Sequence, residues 1–489
     1  MNNRTMSVLT LGICLLLLTL ASPSRGNDVV AGRADEGLID GGIRPPIATA
    51  TLRGSTVPSQ AGSPGSCLPR YSEPQFILRV NEAGPYEYEP FVTSGDFDGD
   101  GLEDVVITEM TFQTMETYEL DILVNDGNGS LVLATSSVFS GTVPAVQHPR
   151  KIVIADFNGD RVADIFVADH GYDADPYPGY QNTLVLSVPG GRLVDATANL
   201  PQQNDFTHSA AAGDIDGDED IDLYIGNLGG QTEVPPQIWL NVDGSGVFTV
   251  ATGRLPFPLQ DYGYGSYTSS EFVDVNNDTF PDLVLGDGGC GWPEDGPDSL
   301  VLLNDGTGHF SHLDNAIPAK PFAVTDIGLD IEPADLNDDG YQDLLIAYTK
   351  GDPGYVGRYV QVLINNQDGT FRDETGTRLS QSDNDDPWIR RLQLMDVDRD
   401  QDMDLIARPW DDQHPDPLLF LNDGGGHFSH QPLDFRLPYL YYTILDLDGD
   451  DGHDFVFATF SPPEDIYAIR DLGCPVFLPF VCRTHPAGN

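Results

Sequence analysis

Basic residues are scarce in this chain: 24 Lys and Arg stand against 77 Asp and Glu, for a formal net charge of −53. Such a surface repels nucleic-acid phosphates and anionic membranes, which excludes both as direct partners. Cysteine is rarer still, with five in 489 residues. No Cys-x-x-Cys, His-Glu-x-x-His, Gly-x-Ser-x-Gly or Walker-type glycine loop occurs, so none of the common hydrolase, zincin or nucleotide-binding signatures is present. The ten histidines fall into no ligand pattern. His309/His312 and His427/His430 occupy the same place in two copies of Gly-His-Phe-Ser-His, which makes them repeat positions rather than a metal pair. Helical periodicity is nearly absent, whereas turn formers are plentiful, with 52 Gly and 37 Pro.

Long apolar runs are missing too, except at the start. Arg4, an apolar stretch over 8–20 and then Ala21-Ser22-Pro23-Ser24-Arg25-Gly26 have the layout of a secretory signal peptide, residues 1–26. The run is short for a retained anchor, and Cys14 sits inside it rather than at its end, against lipoprotein processing. The expected location is therefore secreted or extracellular, periplasmic or at the cell surface, with no membrane insertion after signal removal. Residues 27–70, rich in Gly, Pro, Ser and Ala, read as a flexible leader.

What the chain does have is one acidic loop, seven times over. The pattern Asp-x-(Asp/Asn)-x-Asp-x-x-x-Asp begins at Asp96, Asp156, Asp214, Asp274, Asp335, Asp396 and Asp446, at separations of 60, 58, 60, 61, 61 and 50 residues. Positions 1, 3, 5 and 9 are Asp96, Asp98, Asp100 and Asp104 in copy one, and Asp156, Asn158, Asp160 and Asp164 in copy two. They are Asp214, Asp216, Asp218 and Asp222 in copy three, and Asp274, Asn276, Asp278 and Asp282 in copy four. Copy five has Asp335, Asn337, Asp339 and Asp343; copy six Asp396, Asp398, Asp400 and Asp404; copy seven Asp446, Asp448, Asp450 and Asp454. Hard oxygen donors at alternate positions of a tight loop suit Ca²⁺, which takes about 6–8 such ligands. Up to seven ions are expected. Asp-Gly-Asp-Gly is also good turn chemistry, but turns alone do not require an Asp at position 9. Crowded carboxylates repel unless a cation sits among them. Copies one, three, six and seven keep four Asp and should bind most tightly, with Arg399 weakening copy six. No Glu follows at position 12 and a β-rich run comes next, so these are not EF-hands.

A hairpin signal runs in phase with the loops. Apolar residues lead into Asn-led, glycine-containing turns at Asn125-Asp126-Gly127, Asn241-Val242-Asp243-Gly244, Asn304-Asp305-Gly306, Asn365 to Gly369 and Asn422-Asp423-Gly424, with a degenerate Val188-Pro189-Gly190-Gly191 in copy two. One strand before each loop, one after it and two hairpin arms make four short antiparallel strands per period. The fold expected is all-β: a seven-bladed β-propeller of four-stranded antiparallel blades.

The acidic loop with the Leu-Asn-Asp-Gly-x-Gly-x-Phe hairpin resembles the FG-GAP/VCBS repeat of integrin α-subunit propellers and many secreted bacterial proteins. The resemblance covers roughly 71–470 and implies calcium in loops joining the first and second strands of each blade. It also implies partner binding through loops on the opposite face. It does not specify an activity, because this fold hosts unrelated functions.

The propeller is placed at 71–482 and a C-terminal tail at 483–489. Copy seven lacks its last hairpin arm, and an unassigned apolar run, Phe76-Ile77-Leu78-Arg79-Val80, precedes copy one. That run is expected to supply the outer strand of blade seven and close the ring; the alternative is an open ring with a stray edge strand. Cys67, Cys290, Cys474 and Cys482 allow three disulfide connectivities. A Cys67–Cys474 or Cys67–Cys482 bridge would staple the closure.

The long connections after each second strand, at 168–181, 226–237, 286–299, 348–359 and 408–417, put aromatics beside acids. His170, Tyr172, Trp292 and Trp410 are the candidate ligand-binding residues there, since aromatic faces beside carboxylates suit sugars. Three functions fit: a secreted protein- or glycan-binding adhesion module, a polysaccharide-active lyase or hydrolase using paired rim carboxylates, and a surface scaffold without a small-molecule site. The lack of a catalytic signature favours the first. Neither ligand identity nor oligomeric state is set by the sequence.

Overall fold

A computed structural model describes residues 71–472, apart from 82–88, 112–113, 229–231, 233, 258, 260–266, 289–297, 320–325, 352–353, 381–387, 410–417, 432–440, 451 and 459–463. Seven four-stranded antiparallel sheets follow one another along the chain. Blade one is Glu89–Gly95, Asp104–Met110, Asp121–Asn125 and Leu131–Leu133; blade two is Pro149–Ala155, Asp164–Asp169, Thr183–Val188 and Arg192–Asp195. Blade three is Thr207–Gly213, Asp222–Asn227, Gln237–Asn241 and Phe248–Ala251, and blade four Tyr267–Val273, Asp282–Asp287, Leu300–Asn304 and Phe310–Leu313. Blade five is Ile327–Ala334, Asp343–Gly351, Gly354–Asn365 and Phe371–Asp373, and blade six Ile389–Met395, Asp404–Pro409, Leu418–Asn422 and Phe428–Gln431.

Blade seven is a composite. Tyr441–Leu445, Asp454–Ala458 and Glu464–Ile469 pair in order, and the fourth strand is Gln75–Asn81 from the other end of the domain. The expected closure by an N-terminal strand is what the fold uses. Phe76 packs edge-on to Tyr467 at 5.7 Å, and Arg79 pairs with Asp465 at 2.7 Å. Cys67, Cys290, Cys474 and Cys482 lie outside the described residues, as do residues 1–26, 27–70 and 483–489, expected to be a signal peptide, a leader and a tail.

The ring follows from where the apolar residues fall. First strands contact the first strands of neighbouring blades around the axis. Second strands such as Asp164–Asp169 are buried along their whole length, third strands such as Gln237–Asn241 bury three of five residues, and fourth strands such as Phe248–Ala251 bury mainly their first residue. The apolar clusters accordingly lie between blades: Val153, Phe166 and Leu184 of blade two pack with Ala210, Leu223 and Trp239 of blade three. This is how a propeller holds far more residues than one hydrophobic core can.

One expectation needs amending. The segment 348–359 is not an irregular connection, because the second and third strands of blade five run on through it, with Tyr348 opposite Tyr359 and Lys350 opposite Val356. Its Gly351 and Gly354 flank the tip of this extended hairpin.

Candidate metal centres and the opposite rim

Antiparallel order fixes which ends share a face. The acidic loops join first to second strands and the Asn-led hairpins join third to fourth, so both lie on one face. The long second-to-third connections lie on the other.

Each acidic loop is wound by its own carboxylates. Asp96 accepts the amides of Gly99 and Gly101 (2.7 and 2.9 Å), and Asp100 accepts that of Leu102. Asp214 accepts from the same two positions, Gly217 and Glu219, whereas Asp156, Asp274, Asp335 and Asp396 accept the amides of positions 5 and 6. Such winding forces positions 4 and 6 into the left-handed region. Glycine fills them in copy one (Gly99 and Gly101), but Asn277 and Thr279 do so in copy four and Arg399 and Gln401 in copy six.

Position 9 is the buried anchor. Asp104, Asp164, Asp222, Asp282, Asp343, Asp404 and Asp454 are all essentially inaccessible. One oxygen of each accepts the amide of position 2, as Phe97 gives to Asp104 at 3.0 Å. The other accepts the amide of a residue at or beside the end of the third strand: Asn125, Ser187, Asn241, Asn304, Asn365, Asn422 or Asp471. Burial pushes the first six carboxyls up to about 7 and Asp454 up to about 6, against the opposing pull of those amides. At position 3, burial and then the neighbouring carboxylates raise Asp98, Asp216 and Asp448, and raise Asp398 to about 6.

In four copies carboxylate oxygens from three residues lie within 4.8 Å of one another: Asp96, Asp98 and Asp104; Asp214, Asp216 and Asp218; Asp396, Asp398 and Asp404; Asp446, Asp448 and Asp454. These are the four all-aspartate copies. Within them, the Oδ1 atoms of Asp398 and Asp448 are buried without a hydrogen-bond donor. A bare buried carboxylate oxygen is costly, and a bound cation would satisfy it. The donor set is wholly hard oxygen, so these residues fit Ca²⁺.

The Asn-containing copies differ. Asn158 directs Nδ2 at Asp164 Oδ1 and Ser187 O, and Asn337 directs Nδ2 at Asp343 Oδ2, so an amide donor meets the position-9 carboxylate in copies two and five. Asn276 in copy four instead accepts the Asp278 amide. Arg399 turns away from its own loop to pair with Asp471 at 2.9 Å.

On the opposite face, His170 is fully buried between blades two and three. Its ring stacks on Phe206 (4.3 Å between centroids) and on His208 (4.7 Å), with His148 edge-on at 4.6 Å. Beside them a buried Arg150 pairs with Asp173 at 2.8 Å. Burial first, and Arg150 second, hold His148 and His170 well below the usual imidazole range, and His208 likewise. Tyr172 is half-buried, its amide donating to Gln147. Trp292 and Trp410 lie outside the described residues. The histidine group was not legible from spacing, because 148, 170 and 208 come from three separate segments. Arg150 and His208 sit at bulges of their first strands, which set them out of pairing register.

Comparison with known families agrees with the repeat. The FG-GAP-like repeat model matches residues 96–167, 156–225, 274–346 and 335–407, together more than half of the chain. The chain belongs to the FG-GAP-like repeat family. No curated protein matches it. Among solved structures it is similar to the V. cholerae biofilm matrix protein Bap1, at 11% identity and a TM-score of 0.41, covering 83% of this chain and 91% of that one. A likeness that distant bears on neither ligand nor activity. Among the described residues no helix is long and apolar enough to cross a membrane.

Proposed function

We propose that the protein is a secreted, calcium-stabilised binding module whose metal loops fix one face of the ring while loops of the opposite face engage a protein or glycan. The observation that carries the metal half is the convergence of three carboxylates in each of four loops, two of them holding a buried oxygen with no donor. Asp96, Asp98, Asp104 and their counterparts in copies three, six and seven hold the tighter ions; the Asn-containing copies two, four and five bind more weakly. A bound ion neutralises carboxylates that otherwise repel, so binding free energy adds to folding free energy.

The binding half rests on family and topology. The opposite face carries the longer connections on a rigid scaffold, and such loops commonly hold recognition residues. Glycan-array and pull-down screens of the mature protein, with calcium and with EDTA, test it. Calcium-dependent capture of a defined glycan or protein supports a binding module. Shortening of a polysaccharide on incubation overturns it in favour of an enzyme.

A further inference from the structure

Asn241, Asn304, Asn365 and Asn422 open the outer hairpins of blades three to six, and each is bonded into two blades. The backbone amide of each donates at 2.8 Å to the position-9 carboxylate of its own loop. Its side-chain Nδ2 reaches back to the loop of the preceding blade. Asn241 donates to Phe157 O at 2.7 Å, Asn304 to Ile215 O at 2.8 Å, Asn365 to Val275 O at 2.7 Å and Asn422 to Leu336 O at 3.1 Å. Each carbonyl belongs to the position-2 residue, whose own amide holds position 9 of that loop. A continuous hydrogen-bonded chain therefore runs from loop two to loop six.

The amide orientation is set by its other partners, since Oδ1 of Asn304 accepts the amides of Gly306 and Gly308, both at 3.1 Å. Oδ1 of Asn241, Asn365 and Asn422 likewise accepts hairpin amides. Elsewhere the link changes. Asn125 turns Nδ2 to Glu103 O of its own blade, Ser187 takes the place in blade two, and Asp471 in blade seven meets Arg399 of loop six.

We propose that these four asparagines are positioning residues for the acidic loop of the blade before their own, so that ion binding in one blade is tuned by the next. The proposal rests on the calcium reading of the loops. Position 2 is buried in each case, so an unmet carbonyl there loosens the peptide that aims position 9, and with it the ion's ligands.

Asn304→Asp isolates the effect. The variant keeps an oxygen to accept from Gly306 and Gly308, loses the donor to Ile215 O and to Pro281 O of its own blade, and adds one negative charge. Asn125→Asp, with the same added charge but a donor that serves its own blade, is the control. Hydrogen exchange read peptide by peptide, in EDTA and across a calcium titration, is the measurement.

The expected result is faster exchange at 214–222 in the Asn304→Asp protein, with roughly fivefold to tenfold more calcium needed to restore protection there. Loops one, six and seven keep their calcium midpoints. In Asn125→Asp, loop seven is unchanged. Change confined to blade four, with 214–222 exchanging as in the parent, overturns the proposal. Should Asn304→Asp fail to fold, Asn422→Asp asks the same question of loop five. A parent protein whose loops do not respond to calcium retires the calcium reading instead, and the EDTA exchange of 214–222 still decides the positioning role.

Discussion

At position 6 of copy four stands Thr279, a β-branched residue held at φ 80°, where copy one has Gly101. The left-handed region costs an L-residue about 1–2 kcal/mol, more for a branched side chain. The loop accepts this because the position-6 amide must face the first carboxylate, as Thr279 N does toward Asp274 at 2.8 Å. Thr279→Gly should therefore stabilise the protein by about 0.5–1 kcal/mol, part of the strain being offset by the freedom glycine gains in the unfolded chain. Chemical denaturation reads this directly. A second expectation concerns protons. Seven position-9 carboxyls are raised to about 6 or 7, above their unfolded value of 3.8. A raised carboxyl binds its proton more tightly in the folded state, so its contribution is lost as pH climbs toward 7. His148, His170 and His208 act in the opposite sense, their contribution fading as pH falls below the usual imidazole value of 6.5, but they are three against seven. Melting in EDTA should therefore shift upward between pH 8 and pH 6 (about one unit either side of those raised values). In saturating calcium, which requires the ionised carboxylates, the shift should vanish or reverse.

At the scale of elements, strands and loops were legible for one reason: the same chemistry must recur wherever the same turn recurs. Asp at positions 1, 5 and 9 and Asn at the hairpin mark strand ends, and the structure places second strands at those ninth positions. Phe76 to Val80 was recognisable as the missing arm of blade seven because every other blade had four. The extension of blade five was harder to see. Its strands outrun the period, and Gly351 to Gly354 resembles the middle of a loop as much as the tip of a hairpin. The hairpin asparagines were read as turn formers, while their reach into the preceding blade needs the neighbour's position. The closing strand carries its own prediction. A chain beginning at Glu89 would leave Glu464–Ile469 as a raw edge and remove the Arg79–Asp465 pair and the Phe76–Tyr467 contact. It should melt lower and associate with itself, by light scattering, because an unpaired edge templates further pairing.

At the scale of the whole molecule, the ring is held by contacts that no single repeat contains. Lys151 on the inner strand of blade two reaches past blade three to Ser270 O (3.3 Å) and Glu271 on the inner strand of blade four. Its ammonium is nearly inaccessible while Glu271 is about one-fifth exposed. Lys151→Met should cost about 1–3 kcal/mol by denaturation, between the values for exposed and buried pairs, because Glu271 is left uncompensated. Between blades six, seven and one, Arg390 lies 4.6 Å from the Tyr441 ring and 5.4 Å from Phe91, and Arg408 lies 5.1 Å from Tyr442. Such links join residues tens to hundreds of positions apart, and a repeat pattern carries no trace of them. The charge of the chain, in contrast, was legible at once and bears on every blade, since carboxylates gathered on the loop face repel one another unless a cation sits among them. Elemental analysis of the purified protein, equilibrated with calcium and freed of unbound ions, tests for that cation most directly. The account predicts at least one calcium for each of the four all-aspartate loops and a lower melting temperature once they are stripped; no retained calcium at millimolar supply would contradict it.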